Sequence, residues 1–137
     1  MLLEVDFGSE EPIYRQIRTQ IVHGVATGEL QPGDALPSVR TLASNLSVNM
    51  HTVNKAYAVL RDEGYVVMHG RSGAYIADAA RLASPTRARE QEAQIVSDLQ
   101  RIAIEYRARG GSFDEFVALA TLQAKLVFSP KKGSDSK

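Results

Sequence analysis

The sequence predicts an α+β fold that is mainly α: three short helices closed by a β-hairpin, then a linker, then two longer helices. Three observations carry this expectation. Apolar residues recur at helical spacing in five stretches, each bounded by a capping or breaking residue. Two short apolar runs, Tyr65-Val66-Val67-Met68 and Ala74-Tyr75-Ile76-Ala77, flank the glycine-containing turn His69-Gly70-Arg71-Ser72-Gly73 in the manner of a hairpin. Ser84-Pro85-Thr86 separates this part from the rest and reads as a linker.

Each element has a local reason. Leu3-Glu4-Val5-Asp6-Phe7 alternates apolar and acidic, the pattern of a half-exposed strand. Pro12 suits the first turn of a helix, which Ile13, Ile17, Ile21 and Val25 continue at i, i+4 spacing until Gly28 stops it. Pro32-Gly33 then turns the chain. Ser38 is a good N-cap for a second helix carrying Val39, Leu42, Ala43 and Leu46. After a break at Ser47-Val48, Asn49 caps a third helix, from about Met50 to Glu63, that buries Val53, Ala56, Tyr57 and Leu60 and ends at Gly64. The tail holds a helix over roughly 87–109, with Ile95, Leu99, Ile102 and Tyr106 on one broad face, ended by Gly110-Gly111. Ser112 and Glu115 form a capping box for the last helix, which carries Phe116, Val117, Leu122 and Leu126. The expected domains are therefore 1–79, a linker at 80–86, a two-helix domain at 87–128, and a polar tail at 129–137 expected to be disordered.

Composition bounds the function. The 137 residues are 44% hydrophobic and 23% charged, ordinary for a globular chain, and no apolar run is long enough to span a membrane. The start lacks a signal-peptide pattern and there is no cysteine, so disulfide and thiolate chemistry are excluded and a cytoplasmic location is expected. Net charge is formally zero, which argues against a nucleic-acid partner until the charge is mapped. Residues 1–79 hold six Lys/Arg against nine Asp/Glu, yet residues 38–73 hold four Lys/Arg against only Asp62 and Glu63. Where the charge lies governs steering more than its sum.

Helix, helix, short turn, helix, hairpin is the order of a winged helix-turn-helix. In such a module the third helix buries one face and offers the other to the major groove. Here Asn49, His51, Thr52, Asn54 and Lys55 fill the offered face. The hairpin carries Arg71 in a glycine-flanked turn, where a cation can reach a phosphate or the minor groove.

Glu11-Pro12-Ile13-Tyr14-Arg15-Gln16-Ile17, then Gly28-Glu29-Leu30-Gln31-Pro32-Gly33-Asp34-Ala35-Leu36-Pro37-Ser38-Val39-Arg40-Thr41-Leu42-Ala43, resembles the opening of the GntR family. Val48-Asn49-Met50-His51-Thr52-Val53-Asn54-Lys55-Ala56-Tyr57 and Leu60-Arg61-Asp62-Glu63-Gly64-Tyr65 continue the resemblance, which covers about residues 8–78. The tail of two helices is similar to the YtrA-type branch, whose short tail mainly dimerises the protein. The resemblance implies double-stranded DNA as partner, a homodimer, and a repressor acting on an inverted-repeat operator. It implies DNA contacts by Arg40 on the second helix, by Asn49, Met50, His51 and Thr52 at the start of the third, and by His69, Gly70 and Arg71 at the wing tip. Met50 departs from the family, which commonly has Arg there to read guanine, a bond a thioether cannot make. Either Met50 meets a thymine methyl, or it only packs and another residue specifies the base.

Competing readings attach to several groups. Arg15 and Arg18 either solvate the first helix or touch phosphate, and Arg40 either pairs with an acid or touches DNA. His23, His51 and His69 lie on three elements without ligand spacing, so no metal is expected. Gly70-Arg71-Ser72-Gly73 lacks the lysine and the strand-to-helix setting of a phosphate loop. The neighbouring carboxylates Asp62-Glu63 and Asp114-Glu115 sit at helix ends and point to different sides, so no catalytic set, no enzyme and no cofactor are expected. The apolar faces around Leu99, Ile102, Tyr106, Phe116 and Leu122 exceed what two helices bury in each other and are expected to form the dimer interface. A pocket there for a small-molecule effector is the alternative use of the same faces. Against the DNA-binding reading stands a winged-helix module that binds protein without specific DNA contact.

Overall fold

The computed structural model describes residues 2–70, 73–78 and 85–129. The chain divides between residues 83 and 84 into two compact units, each taken by itself.

In the first unit, α1 (Ile13–Thr27) starts one residue after Pro12, which is its N-cap, and ends at Gly28 with φ of 82°. That left-handed conformation is one a glycine adopts without penalty. Helix α2 (Val39–Leu46) is capped by Ser38, whose hydroxyl accepts from the Thr41 N–H at 3.1 Å. Ser47 ends α2 with φ of 57°, and among the described residues no other non-glycine has positive φ. This sharp reversal lets α3 (Met50–Glu63) begin with only three residues between it and α2, capped by Asn49 and closed by Gly64. Strands β1 (Val66–Met68) and β2 (Ala74–Ile76) pair antiparallel with Val66 opposite Ile76 and Met68 opposite Ala74.

The core lies where α1, α2, α3 and the hairpin converge. Ile17 and Ile21 from α1, Leu42 from α2, Val53 and Leu60 from α3, and Val66 and Ile76 from the strands form one buried cluster. The outer edge of β2 is also used. Leu36 N–H donates to the Ala74 carbonyl at 2.9 Å, Ile76 N–H donates to the Asp34 carbonyl at 2.8 Å, and Ala35 bridges Tyr75. Sequence assigns a turn to Pro32-Gly33 and no element to residues 34–36 that follow it.

The expected N-terminal strand at Leu3–Phe7 is not one. Its alternation does mark faces, since Leu3 and Val5 pack against the core. Its backbone pairs instead with glutamine side chains of α1. Glu4 N–H donates to Gln20 Oε1 at 3.0 Å and Asp6 N–H to Gln16 Oε1 at 2.8 Å, while the two amide nitrogens donate back to the carbonyls of Glu4 and Asp6. A glutamine amide offers one acceptor and a donor pair, so it can stand in for a peptide group of a neighbouring strand.

The second unit is α4 (Pro85–Ala108) and α5 (Phe113–Phe128). Pro85 and Thr86, expected in the linker, are already in the first turn of α4, where proline's missing N–H costs nothing. The rest of the expected linker, 80–84, lies outside the described residues, as do residue 79 and the tail from 130 on. Gly110, with φ of 95°, ends α4, and the Ser112–Glu115 capping box opens α5 with both of its bonds at 3.1 Å. A Cβ on Gly111 would stand 2.1 Å from the Tyr106 ring, so glycine is what lets that ring seat at the corner. Neither helix has a buried residue.

Candidate nucleic-acid interface

Helix α3 sets the geometry. Val53, Ala56, Tyr57 and Leu60 are buried, which fixes the inward arc of the helix. At 100° per residue the opposite arc then holds His51, Asn54, Lys55 and Ala58, with Met50 on its flank beside Asn54. Met50, His51, Asn54 and Lys55 are exposed and Thr52 is half-buried. The α2–α3 pair is fastened by Tyr57, whose hydroxyl donates to the Pro37 carbonyl at 2.7 Å. That bond ties the middle of α3 to the residue just before the α2 cap. Burial pushes the Tyr57 phenol well above its usual pKa.

Asn49 is committed to the backbone: its Oδ1 accepts from the His51 N–H at 2.7 Å. One orphan donor of the helix start is thereby satisfied, and the positive end of the helix dipole is held at the surface. Asn54, by contrast, keeps its whole amide without a protein partner among the described residues.

The cations sort into two groups. Arg18 is structural. It forms a two-point bond to Glu63, at 2.8 and 3.2 Å, and its guanidinium lies 5.9 Å from the Tyr65 ring centre. The hydrogen bond to Glu63 raises its pKa further, so the guanidinium is held by the protein and not simply solvated. Arg61 pairs with Asp62 at the surface at 3.2 Å. Lys55, expected on the groove-facing arc, has its ammonium 4.3 Å from the centre of the Tyr14 ring on α1. Its charge is thus held at the α1 side of the arc. Arg15 and Arg40 are exposed and make no hydrogen bond or ion pair with any described residue.

At the wing, the His69 ring meets the Tyr75 ring edge-on at 5.1 Å, and His69 N–H donates to the Gly73 carbonyl at 2.9 Å. Gly70 and Gly73 both have positive φ, at 55° and 104°, a backbone region that glycine adopts without penalty. Arg71 lies outside the described residues. His23, His51 and His69 sit on α1, α3 and the wing.

Sequence reasoning missed four participants. Tyr14 positions Lys55, Glu63 occupies Arg18 from 45 residues away, and Gln16 with Gln20 anchors the N-terminal segment. The glutamines had a signal, being an i, i+4 polar pair beside the apolar stripe of α1. The Arg18–Glu63 pair had none, because spacing carries no information on contacts so far apart.

In the second unit Tyr106 and Phe116 are half-buried against each other, with ring centres 5.6 Å apart. Leu99, Ile102 and Leu122 are 50%, 45% and 51% exposed. Among the described residues no helix is long and apolar enough to cross a membrane.

A model of the bacterial regulatory proteins of the gntR family matches residues 13–76. The HTH-type transcriptional repressor YtrA of Bacillus subtilis is 37% identical over 109 residues, covering 76% of this chain and 83% of that protein. An HTH-type transcriptional regulator of Mycobacterium tuberculosis is 43% identical over 74 residues, covering 54% of this chain and 61% of that one. Among solved structures, a transcriptional antiterminator from Listeria monocytogenes superposes with a TM-score of 0.83 at 27% identity, covering 96% of each chain. AraR(DBD) in complex with an operator superposes with a TM-score of 0.51 at 26% identity, over 56% of this chain and 96% of that one.

Proposed function

The chain belongs to the GntR family of bacterial regulatory proteins and to its YtrA type, and we propose that it is a repressor that grips an inverted-repeat operator as a homodimer. The observation that carries the DNA reading is the exposed polar arc of α3, opened by the Asn49 cap and accompanied by Arg40 on α2, a cation without an ion pair among the described residues. The likeness to an operator-bound domain and the repressor among its relatives support it.

In this proposal residues 1–79 hold DNA and residues 87–128 join two copies. Arg40 holds phosphate beside the groove. His51, Thr52 and Asn54 approach base edges from α3, with Lys55 at the α1 side of the arc. His69, Gly70 and Arg71 of the wing are assigned to the DNA backbone or minor groove, where contacts are largely degenerate in sequence. The exposed apolar side chains Leu99, Ile102 and Leu122 support the dimer, because faces of that kind mark association surfaces and a two-fold pairs each with itself. The place we assign to a small-molecule effector is a cavity of about 390 Å³ beside Tyr106, Arg107, Phe113 and Phe116. Acting on DNA puts the protein in the cytoplasm.

Selection of bound duplexes from a random pool, followed by footprinting, tests the proposal. Two symmetric protected half-sites about 34 Å apart are expected. One asymmetric half-site bound with full affinity overturns the dimer, and a pool without enrichment overturns sequence-specific DNA binding.

A further inference from the structure

Beyond residue 7, two large apolar side chains stand in solvent among the described residues of the first unit: Met50, 44% exposed, and Met68, 43% exposed. Met50 is the first residue of α3 and shares a face with Asn54, one turn on. It caps nothing, since Asn49 does that work, and it contributes nothing to the buried arc. An apolar tip is thus presented at the end of a recognition helix that reaches base edges first.

The chemistry of Met50 narrows what it can meet there. A thioether donates no hydrogen bond and accepts only weakly, so it cannot read guanine, cytosine or the amino group of adenine. The apolar feature of the major-groove edge is the thymine C5-methyl. The two flanking asparagines do not duplicate this role. Asn49 already uses its oxygen to accept from the His51 N–H, and its amide is polar. Asn54 keeps both atoms, but they are polar.

We propose that Met50 is a specificity-determining residue that packs its thioether arm on the C5-methyl group of one thymine in each half-site. The inference rests on the DNA-binding reading above and adds to it a particular atom of a particular base. Losing one buried methyl from the contact corresponds to roughly a four-fold loss of affinity per half-site, and about fifteen-fold when both half-sites are changed.

The test uses a duplex selected by the full chain, with each thymine replaced in turn by deoxyuridine, which removes the methyl and nothing else. The parent protein should lose affinity by about those factors at one symmetry-related thymine. Met50→Ala, which should melt at the parent's temperature because Met50 is exposed, should bind thymine and uracil duplexes alike at that position. A parent protein that binds the duplex but is indifferent to uracil everywhere overturns the inference and leaves the DNA reading standing. Uracil sensitivity that persists unchanged in Met50→Ala also overturns it, by assigning the methyl to another residue. Failure to bind any duplex removes the DNA reading itself and the inference with it.

Discussion

Replacing Tyr57 by Phe tests how the two helices of the reading head are held. The ring is 2% exposed and stays buried in the variant, so packing is retained and only the 2.7 Å bond to the Pro37 carbonyl is lost. Pro37 is at the surface, so its freed carbonyl can take water, and the cost should be near that of an ordinary hydrogen bond, about 1 kcal/mol at neutral pH. The same hydroxyl gives this cost a pH dependence. Burial raises the Tyr57 pKa above the unfolded value of about 10. Between these two values the unfolded chain has lost the proton while the folded chain keeps it, so stability falls as pH rises. Below about pH 10 the contribution is complete; above it the parent loses up to about 1.4 kcal/mol per pH unit that Tyr57→Phe does not lose. Urea unfolding of both proteins from about pH 7 to 11 should show a gap of about 1 kcal/mol that closes near pH 11. Every other ionisable group is common to the two proteins and drops out of the difference between them. A gap that stays constant to pH 11 would refute the burial argument, and no gap at neutral pH would refute the hydrogen bond.

Other perturbations separate fold from function. Arg40→Ala should leave unfolding within about 0.5 kcal/mol of the parent, since Arg40 is exposed without an ion pair, and should weaken duplex binding; unchanged affinity would remove it from the interface. Arg18→Ala should do the reverse. With its side chain 28% and that of Glu63 40% exposed, the pair is worth on the order of 1 kcal/mol, and thermal unfolding should move while affinity measured below the transition does not. Leu99→Glu places a charge on the exposed face of α4 and should convert a dimer to a monomer by light scattering, with a matching loss of operator affinity; a persistent dimer would assign the interface elsewhere.

Much of the first unit was legible because its signals are local. Ser38, Asn49, Gly28 and Gly64 cap or stop their helices where sequence placed them, since each acts on its own backbone within a few residues. Contacts between distant segments were not legible. Alternation at Leu3–Phe7 reported which side chains turn inward but not what pairs with the backbone, and that partner is Gln16 and Gln20 rather than a strand. The stretch before Leu36 joins the edge of β2 over too few residues to show a period. For the site, helical phase was enough to gather His51 and Asn54 on one arc. It could not show that Lys55 leans onto Tyr14 of another helix, or that Asn49 gives its oxygen to the backbone.

The central claim is that this surface binds duplex DNA through its cations and the start of α3. Equilibrium binding of the full chain to its selected duplex, measured across a range of salt, tests it most directly. Each phosphate neutralised contributes about −0.9 to the slope of log affinity against log salt. A clearly negative slope reflecting several phosphates is expected, made shallower by about one unit in Arg40→Ala through loss of its phosphate contact. A flat salt dependence, or no saturable binding at low salt, would contradict it.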